Sequence, residues 1–163
     1  MKKIFAVLAV FLSLPAHALD GVFGEFGPGD RDASIIRAGV VANHDLRWLP
    51  ARVRLYWELS IAQWDTQPGS VNELALTPVF RYARAGRGPY VEGAIGLHFL
   101  STTSVHRDAP FSTHFQFGDH VGVGYRFAKY DLGMRLQHLS NAGLRNPNPG
   151  INFLLIRIAR ELE

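Results

Sequence analysis

From Leu19 onward the chain runs as short stretches in which apolar and polar residues alternate, and no helical period of convincing length interrupts them. A side-chain period of two is the pattern of a strand whose two faces meet different surroundings. Eight such segments can be read, at roughly 19–27, 33–44, 51–65, 71–83, 88–101, 113–127, 129–140 and 150–161, separated by turn residues. The third is the clearest: Val53, Leu55, Trp57, Leu59 and Ile61 share one face, and Arg52, Arg54, Tyr56, Glu58 and Ser60 share the other. In the sixth, Phe115, Phe117, Val121, Val123, Tyr125 and Phe127 oppose Gln116, His120 and Arg126. The last, with Ile151, Leu154, Leu155, Ile156 and Ile158, is the least regular.

A soluble barrel turns its apolar face inward, whereas a barrel in a membrane turns that face to lipid and fills its lumen with polar side chains and small residues. Three features favour the membrane. Lys2 and Lys3, the apolar run Ile4 to Leu14, Pro15 and Ala16-His17-Ala18 form a secretory signal expected to be cut after Ala18, and the run is too short for a membrane helix. The segments are long enough for tilted spanning strands, which need about 9–11 residues. The connections alternate, with the longer polar ones being GPGDRD, DTQPGS, TTSVHRDAPFS and NAGLRNPNPG. The expected fold is therefore all-β: an eight-stranded antiparallel up-and-down transmembrane β-barrel over 19–163, behind a cleaved signal peptide at 1–18. Arg54, Glu58, Glu92, Arg126 and Arg135 are expected to pair in the lumen. Trp48, Trp64, Phe80, Tyr82, Tyr90, Phe99, Phe127 and Tyr130 are expected near the membrane interfaces.

Charge and cysteine content narrow the function classes. Without Lys2 and Lys3 the chain carries 15 basic residues (17 − 2) against 14 acidic ones, and no basic block, so nothing points to nucleic acid. It has 0 cysteines, which excludes a disulfide framework and a thiolate nucleophile. The histidines His98, His106, His114 and His120 follow no compact ligand spacing, and neither a metal nor another cofactor is implied.

The stretch Tyr130 to Asn152, YDLGMRLQHLSNAGLRNPNPGIN, carries the chemistry. Leu132, Met134, Leu136, His138 and Ser140 fall on one face, so an imidazole and a hydroxyl stand at the end of an otherwise apolar surface. With a periplasmic N-terminus that end is the outer rim, level with the outer leaflet. Polar groups on a lipid-facing wall are costly without a purpose, and a substrate that is itself a lipid of that leaflet supplies one. Serine attacks an ester only when a base takes its proton, and His138 is placed for that. Asn152, at the start of the partner strand, falls on the same face if Leu154, Ile156 and Ile158 keep phase, and its amide oxygen can orient the imidazole. Asn141, Gly143 and Asn148 lie in the intervening loop, where N–H groups can hold an oxyanion.

The segment LQHLSNAGLRNPNPGINF resembles the signature of the PagL-type lipid A 3-O-deacylases, with a His-x-Ser-Asn core and the Pro-Asn-x-Gly that follows. The resemblance implies a serine esterase of the Gram-negative outer membrane that acts on lipid A within lipopolysaccharide and removes the 3-hydroxyacyl chain ester-linked at position 3. It assigns Ser140 as nucleophile and His138 as base, matches Gly143 and Asn148 to the oxyanion-hole positions, and puts Asn141 next to the serine as in the family. One position departs. Where the family's best-known motif has a glutamate, twelve residues after the serine, this chain has Asn152. An amide orients a histidine without stabilising imidazolium as a carboxylate does. Glu92 and Asp131 are the other acids weighed, and both are expected in the lumen. A homodimer is compatible with this reading. The competing reading is a non-catalytic structural or adhesive barrel whose long loop, 101–114, binds a partner.

Overall fold

The computed structural model describes residues 19–44 and 48–162, so the segment read as a signal lies outside the described residues. Eight strands follow in order: β1 Gly21–Pro28, β2 Ser34–His44, β3 Val53–Thr66, β4 Gly69–Ala83, β5 Gly88–Leu100, β6 Phe115–Phe127, β7 Tyr130–Ser140 and β8 Ile151–Glu161. Each pairs antiparallel with its sequence neighbours, and β1 closes the ring by pairing with β8, which gives a closed eight-stranded barrel. Closure removes every sheet edge, the arrangement a membrane requires of a spanning sheet.

The alternation decides which face meets what. Ile36, Ile61, Ile95, Val121 and Leu136 all stand on the outer wall and are more than half exposed, a distribution that water would penalise and lipid favours. Inside, Arg135 donates to Glu25, to Glu58 at 2.8 Å and to Glu92 at 2.7 Å, and Arg157 donates to Glu58 at 2.6 Å. Arg37 joins Glu25 at 2.8 Å and Glu73 at 2.9 Å. These charges are buried but mutually paired and hydrogen-bonded, the condition under which a dry lumen tolerates them. Of the five residues expected there, Glu58, Glu92 and Arg135 are buried in this network, Arg126 reaches Asp131 at 2.7 Å, and Arg54 is exposed at one mouth.

Two aromatic expectations are corrected. Trp64 is fully buried in the lumen, where its indole N–H donates to Glu73 at 2.7 Å, and Tyr90 lies inside under the Arg81 guanidinium at 3.8 Å. Both have the inward phase of their strands. Phe80, Tyr82, Phe99, Phe127 and Tyr130 do stand outward. The connection read as DTQPGS is also shorter than expected, because β3 and β4 run on until only Gln67 and Pro68 join them.

Toward the end that holds the 141–150 loop, the lumen changes from ionic to apolar. Trp64, Val71, Leu100, Leu139, Ile151, Phe153 and Leu155 cluster there, with Val105 and Phe111 descending from the 101–114 loop. This explains the irregular last strand. Ile151, Phe153 and Leu155 face the apolar plug, while Asn152, Leu154 and Ile158 face out, so both faces of β8 are apolar over its first half.

Candidate active site on the outer wall

β7 and β8 are bolted from the inside. Leu139 and Ile151 are completely buried, and Phe153 packs edge-on against Trp64 at 5.0 Å between centroids. Burying each such side chain contributes about 1.5–3 kcal/mol. Because strand side chains alternate, these inward anchors fix the outward directions of His138, Ser140 and Asn152. His138 and Asn152 are direct cross-strand partners, and the imidazole Nδ1 lies 2.8 Å from the Asn152 amide oxygen. A carbonyl oxygen only accepts, so Nδ1 carries the proton and Nε2 offers its lone pair.

Register places that lone pair. The β7–β8 ladder pairs Leu139 with Ile151, so one step further sets Gly150 opposite Ser140. Gly150 has φ +63°, and a methyl group there would lie 2.7 Å from His138 Cε1 and 3.2 Å from Nε2. The free edge of the imidazole thus rests over Gly150, toward the serine's end of the hairpin. Only a residue without Cβ leaves room for it.

The loop after Ser140 is held by its own side chains. Asn141, nearly fully buried, donates its amide to Ser112 Oγ at 2.9 Å and to the Arg145 carbonyl at 2.7 Å, and its oxygen accepts from the Gly143 N–H at 2.9 Å. Asn148 accepts the Asn141 backbone N–H at 3.0 Å. The backbone donor directed at Ser140 Oγ is that of Ala142, at 3.4 Å, from a residue with φ +54°. Ala142 carries no sequence signal as a donor.

Two acids near the site escape a reading of the sequence. Asp119 is exposed on the outer wall, in phase with Phe117 and Val121, and pairs across the strands with His138. Its phase alone marks it as an acid facing lipid. Asp30, in the β1–β2 connection, accepts from the Asn152 side-chain N–H at 2.8 Å. Glu92 and Asp131 are in the lumen and bonded to arginines, as expected. A shallow groove runs down the wall from Asp30, Asp119, His138 and Asn152 over Val121, Leu136 and Leu154.

A lipid-facing barrel with a serine, a histidine and an amide at one rim defines a class: outer-membrane barrels equipped for acyl chemistry. The family described as Lipid A 3-O-deacylase (PagL) matches residues 36–161. A lipid A deacylase PagL of Pseudomonas aeruginosa is 33% identical over 93% of this chain and 94% of its own length. One of Bordetella bronchiseptica is 36% identical over 63% of this chain, and that match spans 60% of the relative's length. A crystal structure of the outer membrane enzyme PagL superposes with a TM-score of 0.76 at 30% identity, covering 87% of this chain and 99% of that one. The chain belongs to the PagL family of lipid A 3-O-deacylases.

Proposed function

We propose that this chain, crossing the outer membrane with its eight strands, is a serine esterase that removes the 3-hydroxyacyl chain ester-linked at position 3 of lipid A in the outer leaflet. The observation that carries the reading is the 2.8 Å contact between His138 Nδ1 and Asn152, made beside Ser140 on a wall whose neighbouring outward positions, Val121, Leu136 and Leu154, are apolar. The ester is presented from the bilayer side, with its acyl chain lying along Val121, Leu136 and Leu154. Ser140 Oγ attacks the carbonyl carbon while His138 Nε2 takes the hydroxyl proton. The two side chains close to hydrogen-bond distance when the substrate docks, as is common in hydrolases.

The carbonyl oxygen becomes an oxyanion and is received by the 141–148 loop. Ala142 N–H is nearest to Ser140 Oγ, and the Asn148 amide and Gly143 N–H complete the set once Asn141 releases the glycine. Collapse of the tetrahedral intermediate breaks the bond to the sugar oxygen, which leaves with the proton from Nε2. Water, deprotonated by the same nitrogen, then cleaves the acyl-serine and frees a 3-hydroxy fatty acid.

The test is mass spectrometry of lipid A from Gram-negative cells that make the native chain or the Ser140→Ala variant. Loss of one 3-hydroxyacyl mass with the native chain only is expected. The same loss with Ser140→Ala, or an unchanged pattern with the native barrel folded in the outer membrane, overturns the proposal in favour of a binding barrel.

A further inference from the structure

Asn152 poses a problem of chemistry. An asparagine amide can face an imidazole with either end. With its oxygen toward Nδ1 it holds the Nδ1–H tautomer. With its NH2 toward Nδ1 it moves the imidazole proton to Nε2, where the ring can no longer accept from serine. Nothing in Asn152 itself selects the first arrangement.

We propose that Asp30 makes the selection: its carboxylate fixes the Asn152 amide and, through it, the tautomer and orientation of His138. Its catalytic consequence rests on the assignment of Ser140 and His138 as nucleophile and base. A carboxylate has acceptors only, so the Asn152 atom 2.8 Å from Asp30 is the NH2 nitrogen, and the oxygen must face His138. The chain of donors then runs one way: His138 Nδ1–H to Asn152, and Asn152 N–H to Asp30.

Asp30 is itself held for this. Its backbone N–H donates to the Asn152 carbonyl at 2.9 Å, and its own carbonyl accepts from Ala33 at 3.2 Å. Gly29 bridges Phe153, so closure of β1 on β8 sets the carboxylate beside Asn152 from 122 positions away in the sequence. No ion pair to Asp30 occurs among the described residues; the neighbouring Arg31 guanidinium is turned to the Pro149 carbonyl at 3.4 Å. The carboxylate therefore faces the Asn152 amide, with the His106 imidazole of the 101–114 loop also within its field. A single carboxylate on Nδ1 would both accept the proton and stabilise imidazolium. Here Asn152 does the first, and Asp30 holds Asn152 in the orientation that does it. The groups that face His138 are thus Asn152 backed by Asp30, Asp119 across β6, and Ser140 on its own strand.

The experiment uses the full barrel in detergent micelles, with Asp30→Ala made in the native chain and in an Asn152→Glu background. Folding is checked by heat-modifiable electrophoretic migration. Deacylation of purified lipopolysaccharide is measured against pH. In the native chain Asp30→Ala is expected to lower kcat about 10²-fold, between the loss of an orienting neighbour and a full wrong tautomer, with KM little changed. With Asn152→Glu the sign reverses: two carboxylates would then meet, and Asp30→Ala becomes neutral or favourable. Nitrogen-15 spectra of labelled histidine, with His138→Gln for assignment, read the tautomer without any turnover. They should show Nδ1–H in the native chain and a mixture in Asp30→Ala. An unchanged tautomer, or equal activity losses in both backgrounds, overturns the role of Asp30. A native chain that never deacylates but shows the tautomer change overturns the esterase reading alone.

Discussion

Gly150→Ala isolates the space that the imidazole needs. The new methyl would stand 2.7 Å from His138 Cε1, where ordinary contact begins at 3.4 Å, so the ring must retreat by at least the difference, 3.4 − 2.7 = 0.7 Å. Retreat cannot come from β7 sliding, because Leu139 is fully buried against the apolar plug. The imidazole therefore swings, and the Nδ1 contact to Asn152 and the reach toward Ser140 are both compromised. A misplacement near 1 Å costs about 10²-fold in rate, and that is the fall in kcat expected. The left-handed backbone adds about 1–2 kcal/mol of strain to the folded state. Gly88→Ala separates the two effects: it has φ +115° with no atom within 4 Å of the new methyl, and it lies at the far mouth. It should carry strain and keep full activity. The assay is steady-state deacylation of lipopolysaccharide by both variants. A Gly150→Ala enzyme within about threefold of the native kcat would refute the reasoning, since the ring would then tolerate the displacement.

Arg135→Met should destabilise the barrel severely, because it strips Glu25, Glu58 and Glu92 of a shared cation in a closed lumen. Removing one partner of a buried ion pair costs about 3–5 kcal/mol, read as a lower urea midpoint for refolding in vesicles; an unshifted midpoint contradicts the network. In the 101–114 loop, desolvation and then the Arg31 charge hold the His106 imidazole below its usual range. The unfolded loop takes up the proton first, so this contribution is complete above pH about 6.5 and is lost as the pH falls from there through the lower value of the folded loop. Cleavage of the loop by an added protease should accelerate between pH 7.5 and about 5, and His106→Asn should flatten that dependence.

Strand order, phase and the hairpin were legible in the sequence because each rests on local alternation. Every strand boundary lies within about two residues of the position that periodicity gives, the usual limit of such readings or better. What alternation cannot carry is proximity created by closure. Asp30 sits in a five-letter run of turn residues, PGDRD, and nothing local distinguishes it from Asp32; only the β1–β8 seam brings it to Asn152. Trp64 and Tyr90 were misplaced for a different reason. An aromatic near a strand end suits a membrane interface, but their phase already pointed inward, where an indole N–H and a phenol ring could serve Glu73 and Arg81. Phase outranks residue type at both positions. Gly150 was hidden in a loop where glycine is ordinary, and its reason emerges only from the ring lying across it.

The lipid-facing wall offers its own argument for where function sits. Down β6, β7 and β8 the outward positions read Phe, Val, Tyr, Leu, Met and Ile, with Arg160 at the far rim, and toward the 141–150 loop the alternation is broken by Asp119, His138, Ser140 and Asn152. Two cross-strand pairs, Asp119 with His138 and His138 with Asn152, make those departures contiguous rather than scattered. Each departure taken singly is an expense on a surface that favours hydrocarbon. Contiguity changes the accounting, since neighbouring polar groups satisfy one another and concentrate their dipoles at one spot of low dielectric, where an oriented imidazole acts more strongly than it would in water. Scattering the same four residues over the wall would keep the cost and remove the chemistry. Local rules break where a site is built, and here they break at the rim where the acyl chains of the bilayer begin.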